Sequence, residues 1–323
     1  MEDINLNLTE QDVNFTLENK NFTKLFSDNN NADASIKVTI NRSGYQSTQP
    51  DPLEFEYKTG FFKNKSKIHI GEIVERSLKS MDKDDFMAIT NDLTFFYNNQ
   101  GDIIDYYNPA SVNLDVQIKS AVDESVLLSQ SFNSIKFVAG RNPNITYNIA
   151  FLQYEKVIQR VTKSSIVLFN FISSGSQTIY IYRNTEQISA FNITSADYKL
   201  RAMLIKFDNC HPGDKILIST NNDYFGNSSL TDSIQEYIVM PECEHHNTIL
   251  YEDEYKTLRA FTCTGEWQFI TDYERFSSSR YKNLTKAETL NDTLKEQSLN
   301  IHTGYIPADN QIIVDQIKRA KKA

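Results

Sequence analysis

Hydrophobic and polar positions alternate with a period of two in short runs along most of the chain. "SIKVTINRSGY" places Ile36, Val38 and Ile40 on one face, and "LEFEY" does the same with Leu53, Phe55 and Tyr57. The apolar members are mainly β-branched or aromatic, the types that fit a pleated, half-buried surface. "SKIHIGEIVERSL" starts as a strand and ends as a helical turn. Further strands are predicted at "DLTFFYNN", "SVNLDVQIKSA", "SFNSIKFVAG", "TYNIAFLQY", "SSIVLFNFI", "TIYIYRN", "LRAMLIKFDN" and "DKILIST". A spacing of about ten residues, with polar turns between the runs, is the pattern of antiparallel sandwiches. "RNTEQ" reads as the hairpin connection between "TIYIY" and "ISAFNIT".

Polar turns divide the pattern. "AGRNPN" marks one boundary and "STNNDYFGNSSLTDS" a second, giving predicted domains at 1–139, 140–233 and 234–323. In the last of these, "TLRAFTCTGEWQFITDYERF" puts Phe261, Cys263, Gly265, Trp267, Phe269 and Tyr273 on one face. Thr262, Thr264, Glu266, Gln268 and Asp272 fall on the other. Two helices are predicted after it. Thr285 with Glu288 forms a capping box ahead of Ala287, Leu290 and Leu294. Pro307 and Asp309 open the second helix, with Ile313 and Ile317 as its stripe. The expected fold is mainly β: tandem antiparallel, Ig-like β-sandwich domains followed by a small α+β C-terminal unit.

Composition narrows the function more than the fold. The 323 residues are 40% apolar and 23% charged, as in ordinary globular proteins. A formal charge of −9 argues against a nucleic-acid partner, which needs a basic surface for phosphates. The 10 glycines are about half the usual share of roughly 7%, and no two lie within five positions of each other. Phosphate loops, dinucleotide fingerprints and serine nucleophile elbows all need close glycine spacing, so these chemistries are excluded. The longest apolar run, "SIVLFNFI", falls far short of the ~20 residues that span a bilayer. "MEDINLNLTE" lacks a basic stretch followed by an apolar one, so no secretory signal is expected. Three cysteines are too few for a disulfide framework.

The candidate chemistry is sparse. "CEHH", Cys243 to His246, gathers metal-ligand types, and Cys210 with His211 forms a smaller group. Neither has the spaced doublets of a zinc site, so no metal and no cofactor are expected. "DKDDF" and "YEDEY" hold clustered carboxylates without calcium-loop order and read as solvated turns. "SSSRY" has no histidine nearby to activate a hydroxyl. The chain is therefore expected to be no enzyme, with no catalytic residue assigned. Two features point instead to protein contacts. Tyr180 and Tyr182 alternate with Ile179 and Ile181, so both phenols are expected on an exposed sheet face suited to glycans or protein partners. Lys318, Arg319, Lys321 and Lys322 end an acidic chain with a basic tail, suited to an acidic surface on a neighbouring subunit.

The segment from "YKTLRAFTCTGEWQFITDYERF" through "SLNIHTGYIPADNQIIVDQI" resembles the C-terminal region of tail structural proteins in tailed bacteriophages of Bacteroidetes hosts. There a capped helix, a strand with an N-[TS]-G or similar turn and a final helix close a chain of sandwich modules. The matching pieces are "LTKAETLNDTL", "NIHTGYIP" and "IIVDQI". The resemblance implies a virion component of the tail or baseplate, made in the host cytoplasm and assembled as repeated copies. Its partners are then other virion proteins and copies of itself, with no nucleic acid and no membrane. The alternative is a glycan- or receptor-binding sandwich module.

Overall fold

The computed structural model describes residues 3–8, 13–18, 22–28, 32–42, 52–78, 103–143, 149–152, 158–220, 234–242, 247–282, 285–302, 314–315 and 317. Strict alternation builds its first layer. In β4 (Ala32–Asn41) every second residue turns inward, so Ala34, Ile36, Val38 and Ile40 are buried. β8 (Ala110–Ser120) repeats this with Val112, Leu114, Val116 and Ile118. These two strands lie at the centre of a five-stranded sheet. Its order is β2 (Val13–Phe15), β9 (Val126–Val138), β8, β4 and β5 (Leu53–Gly60). A smaller antiparallel sheet of β1 (Asp3–Leu6), β3 (Phe22–Phe26) and β6 (Lys65–His69) supplies Ile4 and Leu25 to the same core.

The switch from strand to helix expected in "SKIHIGEIVERSL" is present. β6 runs directly into α1 (Ile70–Ser77), whose Ile70, Ile73 and Val74 follow helical spacing and join that core. Each such side chain, once buried, contributes roughly 1.5–3 kcal/mol.

A second sheet is built on a long hairpin. β12 (Ile166–Arg183) and β13 (Glu186–Lys206) pair along nearly their whole lengths, joined at "RNTEQ" by Asn184 at φ 57°. Each strand absorbs two of the predicted ones. The polar stretch between the halves of β12 reads as a turn in sequence. Here it forms a register shift between Ser173 and Gly175, with Gly175 at φ 69°. Phe169 and Phe171 before the shift and Ile179 and Ile181 after it belong to one core cluster, with Met203, Ile205 and Tyr237.

The other strands are β7 (Ile103–Tyr107), β10 (Ile149–Phe151), β11 (Gln159–Thr162), β14 (Lys215–Ser219) and β15 (Ile234–Met240). Their order is β11-β15-β14-β12-β13-β7, with β10 on β12. This sheet draws strands from all three predicted segments: β7 from the first, β10 to β14 from the second and β15 from the third. The β2–β9 and β11–β15 pairs are parallel, a departure from the wholly antiparallel expectation.

Two hairpins follow. β16 (Asn247–Glu252) pairs with β17 (Leu258–Cys263), and Leu258 packs on Leu168 and Leu204 of the long hairpin. β18 (Trp267–Lys282) pairs with β19 (Thr285–Ile301) from Trp267↔Ile301 to Lys282↔Thr285. The first predicted C-terminal helix is therefore a strand. A capping box contributes only ~1 kcal/mol at one end of a helix, whereas the ladder to β18 gives backbone partners along the whole segment. Within the second predicted helix, Val314, Asp315 and Ile317 are helical. The predicted strand "DLTFFYNN" lies outside the described residues. No helix among the described residues is long and apolar enough to cross a membrane.

Candidate functional site

The densest polar chemistry lies in the turn between β16 and β17. Asp253 organises it. Its Oδ1 accepts from the backbone N–H of Tyr255 at 2.9 Å and of Thr257 at 3.0 Å, and from the Thr257 hydroxyl at 2.9 Å. Its Oδ2 accepts from Nε of Arg259 at 2.6 Å, and Arg259 also donates to the Leu152 carbonyl. The Asp253 side chain is 1% exposed and that of Arg259 12%. Burial works against the charge on Arg259, but Asp253, and then Tyr251, hold its pKa above the ordinary arginine value. Burial likewise pushes the Tyr251 phenol up to about 12.

Groups from both sheets converge on this turn. Tyr107 of β7 presents its hydroxyl to the carbonyls of Tyr255, at 2.6 Å, and Lys256. Asn170 of β12 donates to the Thr257 hydroxyl at 3.0 Å and the Leu258 carbonyl at 2.9 Å. From the first sandwich, Glu75 of α1 lies 3.5 Å from the ammonium of Lys256, and Thr16 donates to the same carboxylate. Arg141 donates its N–H to Glu254 at 3.3 Å. Burial raises the pKa of Glu254 above its ordinary value of 4.5 against that hydrogen bond and the Arg141 charge. The reading of "YEDEY" as a solvated turn is thus overturned: Tyr251, Glu252, Asp253 and Tyr255 are all buried. The usable signal was Asp-x-Tyr-x-Thr, in which a carboxylate caps N–H groups two and four residues on.

A second ion pair fastens the edge strand β7. Arg201 of β13, whose side chain is 5% exposed, donates to Asp105 at 2.7 Å and to Ser173 at 3.1 Å. Partial burial works to raise the Asp105 pKa, but hydrogen bonds from Lys199 and Arg201 hold it below the ordinary 3.8. A depressed carboxyl contributes stability that is present above its unfolded value and lost as pH falls through the folded one. Asp105→Asn should therefore lower the melting temperature at pH 7 and flatten the acid limb below pH ~4. Thermal melts across pH 2–7 check this; an acid limb as steep as wild type would refute it.

Of the sequence-predicted contact residues, Tyr180 and Tyr182 are among the described residues. Tyr180 is half-buried, whereas Tyr182 is 4% exposed, beside the register shift at Ile181, so the two phenols do not share one exposed face. Lys318, Arg319, Lys321 and Lys322 lie outside the described residues, as do Cys243 to His246 and "DKDDF". Cys210 is buried in the second core, while the His211 side chain is 84% exposed and its backbone N–H donates to Asp214 at 2.8 Å. Among the described residues, no group of three or more metal-ligating side chains is found.

Cys263 is fully buried, and burial pushes its thiol up to about 11. Burial raises Cys210 as well. Thiolate is the reactive form, so Cys210 and Cys263 should resist iodoacetamide in the folded protein and react once it is unfolded in urea. Peptide mass mapping reads this site by site, and labelling of either under native conditions would contradict the burial.

No protein-family model and no curated protein matches the chain. Among solved structures, CBD12 from CALX1.2 is similar over 67% of this chain and 92% of its own, at 8% identity and a TM-score of 0.20. A bacterial adhesin from Mobiluncus mulieris is similar over 94% and 98%, at 8% identity and a TM-score of 0.15. Squid arrestin is similar over 69% and 88%, at 8% identity and a TM-score of 0.15. Scores this low carry no argument about function. The class that fold and site define is a mostly-β chain of several sheets, with a buried polar junction where the sheets meet.

Proposed function

We propose that the chain is a non-enzymatic structural component of a phage particle, of the tail or baseplate, incorporated as repeated copies. The observation that supports a structural role is the junction itself. Asp253, Arg259, Thr257 and Tyr107 bond to one another and to backbone groups, and the Asn170 amide donates to Thr257 and to the Leu258 carbonyl. These bonds join β7, β12 and the β16–β17 turn, which supports a mechanical role for the junction. The phage assignment rests on the C-terminal resemblance, and the Ig-like character of the sandwich modules belongs to the same reading. Contacts with other virion proteins and with further copies of the chain follow from it.

The basic tail is the expected contact with an acidic neighbour, because opposite charge on tail and body favours head-to-tail association. Deleting residues 318–323 should leave circular dichroism unchanged and reduce incorporation into particles. Sedimentation of lysates, with blotting of particle and soluble fractions, tests this. Wild-type protein found only as soluble monomer, with normal particles formed without it, would sink the virion reading. A monomer with measurable glycan affinity would point to a binding module.

A further inference from the structure

We propose that Lys256 and Glu75 condense into an intramolecular isopeptide bond, a covalent clamp between the β16–β17 turn and α1. The reacting groups are already in place. Nζ of Lys256 lies 3.5 Å from Oε1 of Glu75, paired with the carboxyl group whose Cδ it would attack. Their side chains are 11% and 24% exposed. Thr16 donates its hydroxyl to the other carboxylate oxygen and accepts the Gly140 N–H at 3.1 Å, so the carboxyl group is held at both oxygens.

The lysine is fixed from its backbone outward. Lys256 has φ 59°, its N–H donates to the Asp253 carbonyl at 3.1 Å, and its own carbonyl accepts from Tyr107. Phe15 and Tyr255, both buried and in edge-to-face contact, belong to the same junction. Such fixation replaces a bimolecular encounter with an intramolecular one. It also gives the partly desolvated pair a neutral alternative to its two charges.

The step balances without an added reagent. The ammonium gives a proton to the carboxylate, and neutral Nζ attacks Cδ of Glu75. The C–N bond forms, and the oxyanion accepts the Thr16 hydroxyl in the manner of an oxyanion hole. A proton then passes from Nζ to the departing hydroxyl, the C–O bond breaks and water leaves. An ammonium and a carboxylate have become an amide and one water.

The test is the intact mass of the purified, full-length protein. It should be one water below the sequence mass, and a digest should yield a single branched peptide carrying both Lys256 and Glu75. Lys256→Arg keeps the positive charge and backbone preference but cannot form this bond, so it should fold and show the full mass. A wild-type mass equal to the sequence, with the two residues in separate peptides, overturns the proposal. So does a loss of water that persists in Lys256→Arg, or one that maps to Thr16 and Glu75 as a hydroxylamine-sensitive ester.

Discussion

Asp253→Asn should lower the free energy of unfolding by about 3–5 kcal/mol, the range for removing one partner of a buried ion pair. The carboxylate makes four hydrogen bonds, three on Oδ1 and one on Oδ2, and its side chain is 1% exposed. An asparagine can keep the oxygen that serves Tyr255 and Thr257. Its amide nitrogen then faces Nε of Arg259, donor against donor, and the guanidinium loses its counter-charge. Arg259→Met should cost less, because Asp253 retains three donors while only the bond to the Leu152 carbonyl is lost besides the ion pair. That asymmetry separates a turn organised by the carboxylate from one organised by the ion pair. Urea unfolding followed by circular dichroism measures both variants. A loss below ~1 kcal/mol for Asp253→Asn would place it with solvent-exposed pairs and refute the burial.

Why this turn is hard to read from sequence follows from what sequence patterns encode. Alternation in "ASIKVTI" and "SVNLDVQI" reports directly on burial, because period two puts every second side chain on one face whatever the partner is. The β4 core was therefore legible residue by residue, and β8 was legible as a strand. So was the passage from β6 into α1, where the period changes within a few residues. "YEDEYKT" has the opposite character. Its charges are local, but the groups it meets, Glu75, Tyr107, Arg141 and Asn170, lie far away along the chain, and no sequence window contains them.

The same limit applied to the hairpin. "SSGSQ" carries turn-forming residues, and only the facing strand β13 decides whether they end a strand or bulge it. For β19 the local signal pointed the wrong way. Its capping box and leucine spacing suit a helix, and a β-rich neighbour of almost equal length outweighs them. Tyr182 shows the effect on a single side chain. Alternation set it opposite Ile181, but the shift in register between these two residues breaks the alternation on which that inference stood.

Gly140→Ala should destabilise the protein by about 3 kcal/mol, for two reasons that can be measured apart. Gly140 has φ 92°, where a Cβ costs roughly 1–2 kcal/mol. A Cβ here would also lie 2.6 Å from Cδ1 and 2.8 Å from Cε1 of Tyr255, meeting the ring itself rather than a flexible tip. Overpacking of that kind costs ~1–3 kcal/mol. Neither side yields easily. The glycine N–H is held by the Thr16 hydroxyl and its carbonyl by Leu17 N–H at 3.0 Å, while the ring stands edge-on to Phe15 at 6.5 Å between centroids. Gly213 supplies the control: it has φ 95°, and a Cβ added to it would meet nothing within 4 Å. Gly213→Ala should therefore lose only the backbone part, and the difference between the two variants gives the steric part. A double-mutant cycle with Tyr255→Leu should then show coupling of ~0.5–3 kcal/mol, since the flat ring is what the new methyl strikes. Equal losses at Gly140 and Gly213, with no coupling to Tyr255, would mean that the turn does not press against the first sandwich at this point.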